Sequence, residues 1–256
     1  MCLLICIRYD DGALVVAANR DERYDRPTRP PHRWDTSPAV LAGRDERAGG
    51  TWLAVTERGL VAAVTNRPTP GGDAAGLPTR GGLPLLACRH RSAGEARIAL
   101  QGHLQITRYN GFNLLAADVG GAFFVDASLP KPRFIDVPAG VHMVANQGFD
   151  DLTDPRVVRT RALLAELGLA NVPRGAELDE RLMRICRDHD GHGDADAGPE
   201  GVSPAWARPS LCMHGQAGGT VSSTILTLSP AGLLERYVHA DGPPCRTEYQ
   251  QISRAF

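Results

Sequence analysis

The sequence lacks an apolar run long enough to cross a membrane. Its first apolar run, residues 3–7, ends at Arg8, whereas a membrane-spanning helix needs about 20 apolar residues. A secretory signal needs a basic start and a longer apolar stretch, and the sequence has neither. We therefore expect a cytoplasmic protein without a transmembrane segment.

The sequence also lacks an excess of charge of either sign. The formal net charge is −1 and the isoelectric point is about 6.7, which gives no indication of a surface that attracts nucleic acid or an anionic membrane. We therefore expect the partner to be a small molecule, bound as a ligand or a substrate. The composition leaves the oligomeric state open.

The six cysteines form no C-x-x-C pair, which excludes a zinc ribbon and a thioredoxin motif. The absence of C-x-x-C-H excludes covalent attachment of a c-type haem. Without an export signal we expect reduced thiols, most of them buried like small apolar side chains. We expect no required cofactor and no metal site. One polar segment could bind a metal, but its composition favours a surface loop: Asp188, His189, Asp190, His192 and Asp194.

The apolar pattern predicts strand hairpins at both ends of the chain and helices in the middle. Such a pattern is typical of a layered α/β protein with largely antiparallel sheets, and 256 residues suit one domain over 1–256. Strands are predicted at 3–9, 14–18, 51–56, 60–65, 112–117, 122–126, 141–145, 221–228 and 233–239. Helices are predicted at 85–91, 93–104, 157–167 and 178–186, and long loops at 27–38, 68–84 and 188–209.

Cys2 is a candidate nucleophile. Removal of Met1 would leave a thiol and a free α-amine on one residue, with ordinary pKa values of about 8.5 and 7.7–8.0. Near neutral pH the amine can then take the thiol proton, so this residue would supply both a nucleophile and its base. We expect Cys2 to be the most reactive cysteine, with Cys6 on the same strand as the internal control.

Polar side chains at three strand ends could complete a site around Cys2. The hairpin at Asp10-Asp11-Gly12 returns the chain beside its own start, which brings residues 19–22 close to Cys2. A carboxylate there could orient an amine, and strand-end amides are good oxyanion donors. The same residue types are also common in solvated turns and loops, and Trp52 could be a core or a pocket residue. The candidates are Asn19, Arg20, Asp21, Trp52, Asn66 and Asn146.

Taken together, these motifs resemble the NRDE family, also called the transport and Golgi organisation protein 2 family. The resemblance runs nearly from end to end, and several motifs in register are far more specific than any one of them. It rests on Met1-Cys2, Ala18-Asn19-Arg20-Asp21-Glu22, Arg26-Pro27, Gly43-Arg44-Asp45, Gly49-Gly50-Thr51-Trp52-Leu53, Thr65-Asn66, Tyr109-Asn110-Gly111-Phe112-Asn113-Leu114, Asn146 and Ser222-Ser223-Thr224-Ile225.

The family looks like a relative of the cholylglycine hydrolases, which are N-terminal-nucleophile (Ntn) amidases. The resemblance implies an α+β fold of the Ntn-hydrolase type, an αββα sandwich with two mainly antiparallel sheets. It also implies that Cys2 is the nucleophile, that Asp21 contacts its amine, and that Asn66 and Asn146 are active-site amides. Asn19 and Trp52 are expected to contact the substrate.

Two positions depart from the cholylglycine-hydrolase pattern. Ala18 stands where those enzymes carry an arginine three residues before the aspartate. Arg20, two residues on, faces the same side of an extended strand, and we expect it to act as the substitute. Ile225 and Leu226 stand in the region of a second, late arginine. The resemblance therefore leaves two functions open. One is a hydrolase or acyltransferase that acts on a non-peptide C–N bond through Cys2, and the other is a non-catalytic protein on the same fold that handles haem or acyl-CoA.

Overall fold

The computed structural model describes residues 2–69, 72–129, 131–168, 174–189 and 210–253. Within them the chain forms two antiparallel sheets of seven strands each. The first sheet contains β1 (Cys2–Arg8), β2 (Leu14–Arg23), β10 (Gly140–Ala145), β11 (Gly148–Phe149), β12 (Gly218–Leu228), β13 (Leu234–Ala240) and β14 (Gln250–Gln251). The second contains β3 (Thr28–Trp34), β4 (Val40–Asp45), β5 (Leu53–Thr56), β6 (Val61–Asn66), β7 (Phe112–Asp118), β8 (Gly121–Asp126) and β9 (Arg133–Asp136).

Helices cover the outer face of each sheet. The first sheet packs against α3 (Pro155–Glu166) and α4 (Ala176–Cys186). The second sheet packs against α1 (Gly82–Ala87) and α2 (Ala93–Ile106). A third apolar cluster fills the space between the sheets. This arrangement is the four-layer αββα sandwich that the family resemblance implies. In the described part of the chain, no helix combines the length and apolar character that a membrane span requires.

The alternation of side chains along β1 shows how the sequence places both faces of the first sheet. Leu3 and Ile5 pack toward α3 and α4, whereas Leu4 and Cys6 pack toward the second sheet. This is the two-residue period of a strand whose faces are both buried. Cys2 continues the face of Leu4 and Cys6, so its side chain belongs to the space between the sheets.

The strand order of the first sheet places the start of the chain at its centre. The order is β11-β10-β1-β2-β12-β13-β14, so β1 has a paired strand on each side. The turn at Gly12, whose φ is +87°, reverses the chain into β2. That strand continues to Arg23 because β12 pairs with its second half. Residues 19–22 are therefore part of a paired strand.

Two sequence predictions for loops and helices need correction. The loop predicted at 27–38 contains a strand, Thr28–Trp34. Pro30 and Pro31 are tolerated there because β3 is the edge of its sheet and its register is irregular between Arg29 and His32. The helix predicted at 85–91 is instead Gly82–Ala87. In the predicted loop at 188–209, residues 190–209 lie outside the described residues.

Candidate active site

The register of the first sheet arranges polar side chains in a row around Cys2. Cys2 pairs with Arg20 across β1 and β2, and Arg20 pairs with Ser222 across β2 and β12. On the other side of β1, Leu4 pairs with Val144. β10 ends at Ala145, and Asn146 follows directly in the turn between β10 and β11. The hairpin thus brings together residues that are far apart in the sequence.

Cys2 opens into a small polar cleft at one end of the sandwich. The cleft has a volume of about 100 Å³, and strands from both sheets contribute to it. Its lining combines positively and negatively charged side chains with amides and hydroxyls. The lining residues include Cys2, Arg20, Asp21, Glu22, Arg26, Asp45, Thr51, Trp52, Asn66, Thr79, Arg80 and Gly81.

The Cys2 thiol is half-buried, and its surroundings act on its pKa in both directions. Burial raises the pKa and is the largest effect, the positive charge of the chain's N-terminus lowers it, and the negative charge of Asp21 raises it. A hydrogen bond from the Asp21 backbone and the positive charge of Arg20 lower it further. The net direction is upward even with the N-terminal charge of the whole chain, so the ammonium of Cys2 itself, directly beside the sulfur, would be needed to favour the thiolate.

The Asp21 carboxylate is held from the helical side of the sheet. Thr220 donates its hydroxyl to Oδ1 at 2.6 Å, and Nη1 of Arg156 lies 3.0 Å from Oδ2. Arg156 is fully buried. It sits in the first turn of α3, where Pro155 begins the helix and the Asp154 cap accepts its backbone N–H. Sequence reasoning missed Arg156, because the predicted helix began at Val157 and no local pattern indicated the strand that Arg156 faces.

Arg20 lies beside Cys2 and over the ring of Trp52. Its guanidinium carbon is 4.3 Å from the ring centroid, a cation–π geometry, and its Nη2 is 3.7 Å from the Glu22 carboxylate. Ala18, on the same face two residues earlier, packs into the core between the sheets. Gly43 makes room for the indole, because a Cβ there would lie 2.4 Å from a Trp52 ring carbon.

The opposite wall of the cleft is built from the second sheet and the loop before α1. Asp45 accepts hydrogen bonds from Arg26, the shortest at 2.6 Å from Nη2. The Thr51 N–H donates to the Gly81 carbonyl at 3.0 Å. A Cβ on Gly50 would lie 2.5 Å from the Gly81 carbonyl carbon, so only glycine permits this approach. The motifs Gly49-Gly50-Thr51 and Gly43-Arg44-Asp45 therefore both contribute to the shape of this wall.

The two predicted oxyanion asparagines occupy different environments. Asn66 is exposed at the end of β6 and lines the cleft with Cys2. Asn146 is fully buried, and neither its Nδ2 nor its Oδ1 has a hydrogen-bond partner among the described residues. Asn113 connects their strands, because its Nδ2 donates to Thr65 Oγ1 at 3.2 Å and to the Ala145 carbonyl at 3.0 Å. Both asparagines thus adjoin one cross-sheet hydrogen-bond network.

The structure does not bring the Asn19 side chain into the cleft. Asn19 is fully buried and its Nδ2 donates to the carbonyls of Cys186 and Leu211, at 2.8 and 2.9 Å. It points toward the helices because it alternates with Arg20, which faces the second sheet. Its contacts are those of a structural residue that ties the end of α4 to β2. Trp52, the other expected substrate contact, lines the cleft.

The remaining sequence candidates lie away from Cys2. Ile225 packs toward the helices and Leu226 into the core between the sheets, so the late arginine of the cholylglycine hydrolases has no equivalent at these positions. Asp188 pairs with Arg159 at 2.7 Å, and His189 lies edge-on to the ring of His214. The other members of the polar segment, Asp190, His192 and Asp194, lie outside the described residues.

The cleft does not fit the large ligands that the family resemblance implies. Cofactor pockets usually enclose about 300–1,000 Å³, and the Cys2 cleft holds about 100 Å³. Its lining also offers charged groups where a haem or the whole of an acyl-CoA would need extended apolar walls. The cleft instead matches one polar group, such as an amide, presented at Cys2.

Comparisons with known proteins agree with the fold and with the family that the sequence resembles. The profile of the family described as Transport and Golgi organisation 2 matches residues 1–238. The human Transport and Golgi organization protein 2 homolog is 39% identical over 117 residues, which are 43% of this chain and 40% of that protein. The mouse homolog is 39% identical over 111 residues, 41% of this chain and 39% of that protein. The chain thus spans about two fifths of the length of the curated relatives it matches.

Solved structures share the fold at low sequence identity. An N-acylethanolamine-hydrolyzing acid amidase ortholog from Caenorhabditis elegans superimposes with a TM-score of 0.56 at 12% identity, covering 90% of this chain and 93% of that one. Penicillin V acylase from Agrobacterium tumefaciens gives 0.51 at 13% identity, covering 99% and 87%. These similarities establish the Ntn-hydrolase fold.

Proposed function

The chain belongs to the Transport and Golgi organisation 2 family, and from the geometry of its cleft we propose that it is an Ntn amidohydrolase that cleaves a non-peptide C–N bond. The observation that carries the proposal is the pairing of Cys2 with Arg20. It places a half-buried thiol beside a cation, next to Asp21 and across a cleft from Asn66. A strand end that served only the fold would not need these groups.

The reaction requires that Met1 be removed by hydrolysis of its peptide bond to Cys2. The free Cys2 amine then accepts the thiol proton, and the sulfur attacks the carbonyl carbon of the amide substrate. The electron pair of the carbonyl moves to oxygen, which Asn66 and Asn146 stabilise by donating their side-chain N–H groups. Asp21, held by Thr220 and Arg156, keeps the resulting ammonium in place.

The second half of the reaction regenerates the thiol. The tetrahedral intermediate collapses, the C–N bond breaks, and the ammonium gives its proton to the leaving nitrogen. This leaves an acyl thioester on Cys2. Water then attacks the thioester carbonyl while the amine takes a proton from it, the C–S bond breaks, and the sulfur recovers that proton as a carboxylic acid is released. The Arg20 charge assists both steps by stabilising the sulfur as a thiolate.

Intact mass followed by a hydrolysis assay tests the proposal. We expect the purified chain to lack Met1 and to hydrolyse at least one aminocoumarin amide of a short-, medium- or long-chain fatty acid, with an acyl adduct on Cys2 by peptide mass. Cys2→Ala should abolish turnover. A chain with a Gly-Ser extension before Met1, in which the Cys2 amine stays in a peptide bond, should also be inactive. Retention of Met1 in the active preparation, or equal turnover by the extended chain, would refute the mechanism.

A further inference from the structure

A second cluster of reactive side chains lies behind β12, formed by Cys212, His214 and Cys245. Cys212 and His214 lie in the segment before β12, and Cys245 lies in the turn after β13. Their ligand atoms all lie within 4.8 Å of one another. The two cysteines are free thiols, so three potential metal ligands converge from two distant parts of the sequence.

We propose that these three residues form a structural zinc site, an inference that is independent of the reaction at Cys2. The sulfurs are 3.5 Å apart, and His214 Nε2 lies 3.7 Å from Cys212 Sγ and 3.2 Å from Cys245 Sγ. A tetrahedral ion with Zn–S of about 2.3 Å and Zn–N of about 2.0–2.1 Å requires edges of about 3.8 Å between sulfurs and about 3.5 Å from sulfur to nitrogen. Each observed edge lies within about 0.3 Å of these values.

His189 is placed to complete the ligand set. Its ring centroid is 5.6 Å from that of His214, in an edge-on arrangement, and the residue is exposed. Its neighbour Asp188 accepts the backbone N–H groups of Leu211 and Cys212, at 3.0 and 2.8 Å, so His189 is fixed beside the cluster. Two thiolates and two imidazoles are a donor set that favours zinc over magnesium, calcium or manganese.

The ion would brace the segment that supports the Asp21 side of the first sheet. Met213, between the two ligands, is bonded to Thr220 through both its backbone groups, at 2.8 Å each, and Thr220 donates to Asp21. The Leu211 carbonyl accepts from Asn19 and from Arg156. A metal on Cys212 and His214 would therefore hold the backbone of Met213 against Thr220 and the carbonyl of Leu211 against Asn19 and Arg156. This site could not be predicted from the sequence, because the spacing of its ligands matches no zinc motif.

Metal analysis of the full-length chain tests the site. We expect one zinc ion per chain by elemental mass spectrometry after loading with Zn²⁺ and desalting. Replacement by Co²⁺ should give the intense thiolate-to-cobalt charge-transfer absorption, which needs no variant. A Zn²⁺ excess should raise the melting temperature, and a strong chelator should lower it. Less than a fifth of an ion per chain, or a cobalt spectrum without thiolate character, would overturn the proposal.

Variants assign the ligands. Cys212→Ser, Cys245→Ser and His189→Ala each remove a ligand, and each should weaken zinc binding by more than the ~10–100-fold typical of losing an outer-shell partner. Cys88→Ala, in the core of the second sheet, and Cys2→Ala are the matched controls and should retain the ion. Unchanged binding in Cys212→Ser would contradict the assignment. So would an as-purified chain lighter by two hydrogens with Cys212 and Cys245 peptides linked, because a disulfide would then explain their proximity.

Discussion

The Asp21 carboxylate and the Arg156 guanidinium lie 3.0 Å apart, with Arg156 fully buried beneath the sheet that carries Cys2. A carboxylate at the edge of the cleft is thus held by a cation that never reaches solvent. The pair joins the first turn of α3 to the second half of β2. It links the stability of the helical layer to the position of a residue in the proposed catalytic site.

Arg156→Met should destabilise the fold strongly. Methionine fills a similar volume but leaves Asp21 buried without its cation, and breaking a buried pair in this way typically costs about 3–5 kcal/mol. Arg161→Met, at an exposed position of the same helix, is the matched control and should stay within about 0.5 kcal/mol. Urea denaturation followed by circular dichroism measures both. Equal stabilities would show that the ion pair contributes nothing net to the fold.

Limited alkylation should modify Cys2 before any other cysteine. Burial raises the pKa of Cys6 and of Cys88 to about 12, and that of Cys186 to about 11, so these thiols are both hidden and protonated near neutral pH. Cys2 is half-buried and gains a cationic neighbour when its amine is freed. Iodoacetamide labelling read by peptide mass checks the order, with Cys6 as the control on the same strand.

The rate of Cys2 alkylation should also depend on pH. The rate should rise with pH as the Cys2 thiolate forms, and the chain without Met1 should reach its plateau at a lower pH than the Gly-Ser-extended chain. Cys245, the other half-buried cysteine, should label slowly in the zinc-loaded chain and faster after chelation. Labelling of Cys6 as fast as Cys2 would remove the physical basis for a nucleophile at position 2.

His239 should make the fold sensitive to mild acid. Burial lowers its pKa to about 4, whereas in the unfolded chain it is about 6.5. Between these values the unfolded chain binds more protons, so stability is full above pH 6.5 and falls as the pH drops toward 4, by up to about 3 kcal/mol. His239→Leu should flatten the slope of stability against pH in this window, whatever its absolute stability. Urea denaturation across this pH window measures both chains, and equal slopes would show that His239 does not make the fold sensitive to acid.

The layered fold could be predicted from the sequence because short apolar runs between turn residues indicate strands, and the helices have apolar residues at helical spacing. The proximity of Arg20 and Asp21 to Cys2 followed from a single hairpin, since a turn at Gly12 fixes its register over the whole strand. Arg156 and Thr220 could not be found in this way. They reach Asp21 from a helix and a strand more than 130 residues away, and no local pattern encodes that packing.

Asn19 shows that a local pattern can also predict a contact that the fold does not make. Its place in a charged run suggested a substrate contact, but alternation along β2 turns its amide toward α4, where it bonds two backbone carbonyls. A shift of one position along a strand decides whether a side chain faces the cleft or the buried layer of helices. The sequence indicated that residues 19–22 lie near Cys2 without showing that β12 would extend β2 and fix which of them face it.

Asn146→Ala should slow acylation without weakening the fold, whereas Asn113→Ala should do the reverse. The buried Asn146 amide has no partner among the described residues, so its loss should change stability by less than about 1 kcal/mol, while Asn113 would forfeit its bonds to Thr65 and Ala145, at about 1 kcal/mol each. Loss of an oxyanion donor costs about 10²–10³-fold in rate, measurable as acetylation of Cys2 by 4-nitrophenyl acetate. Alkylation by iodoacetamide forms no oxyanion and should stay unchanged in Asn146→Ala. If both reactions slow equally, Asn146 acts on the sulfur or on the fold and is not an oxyanion donor.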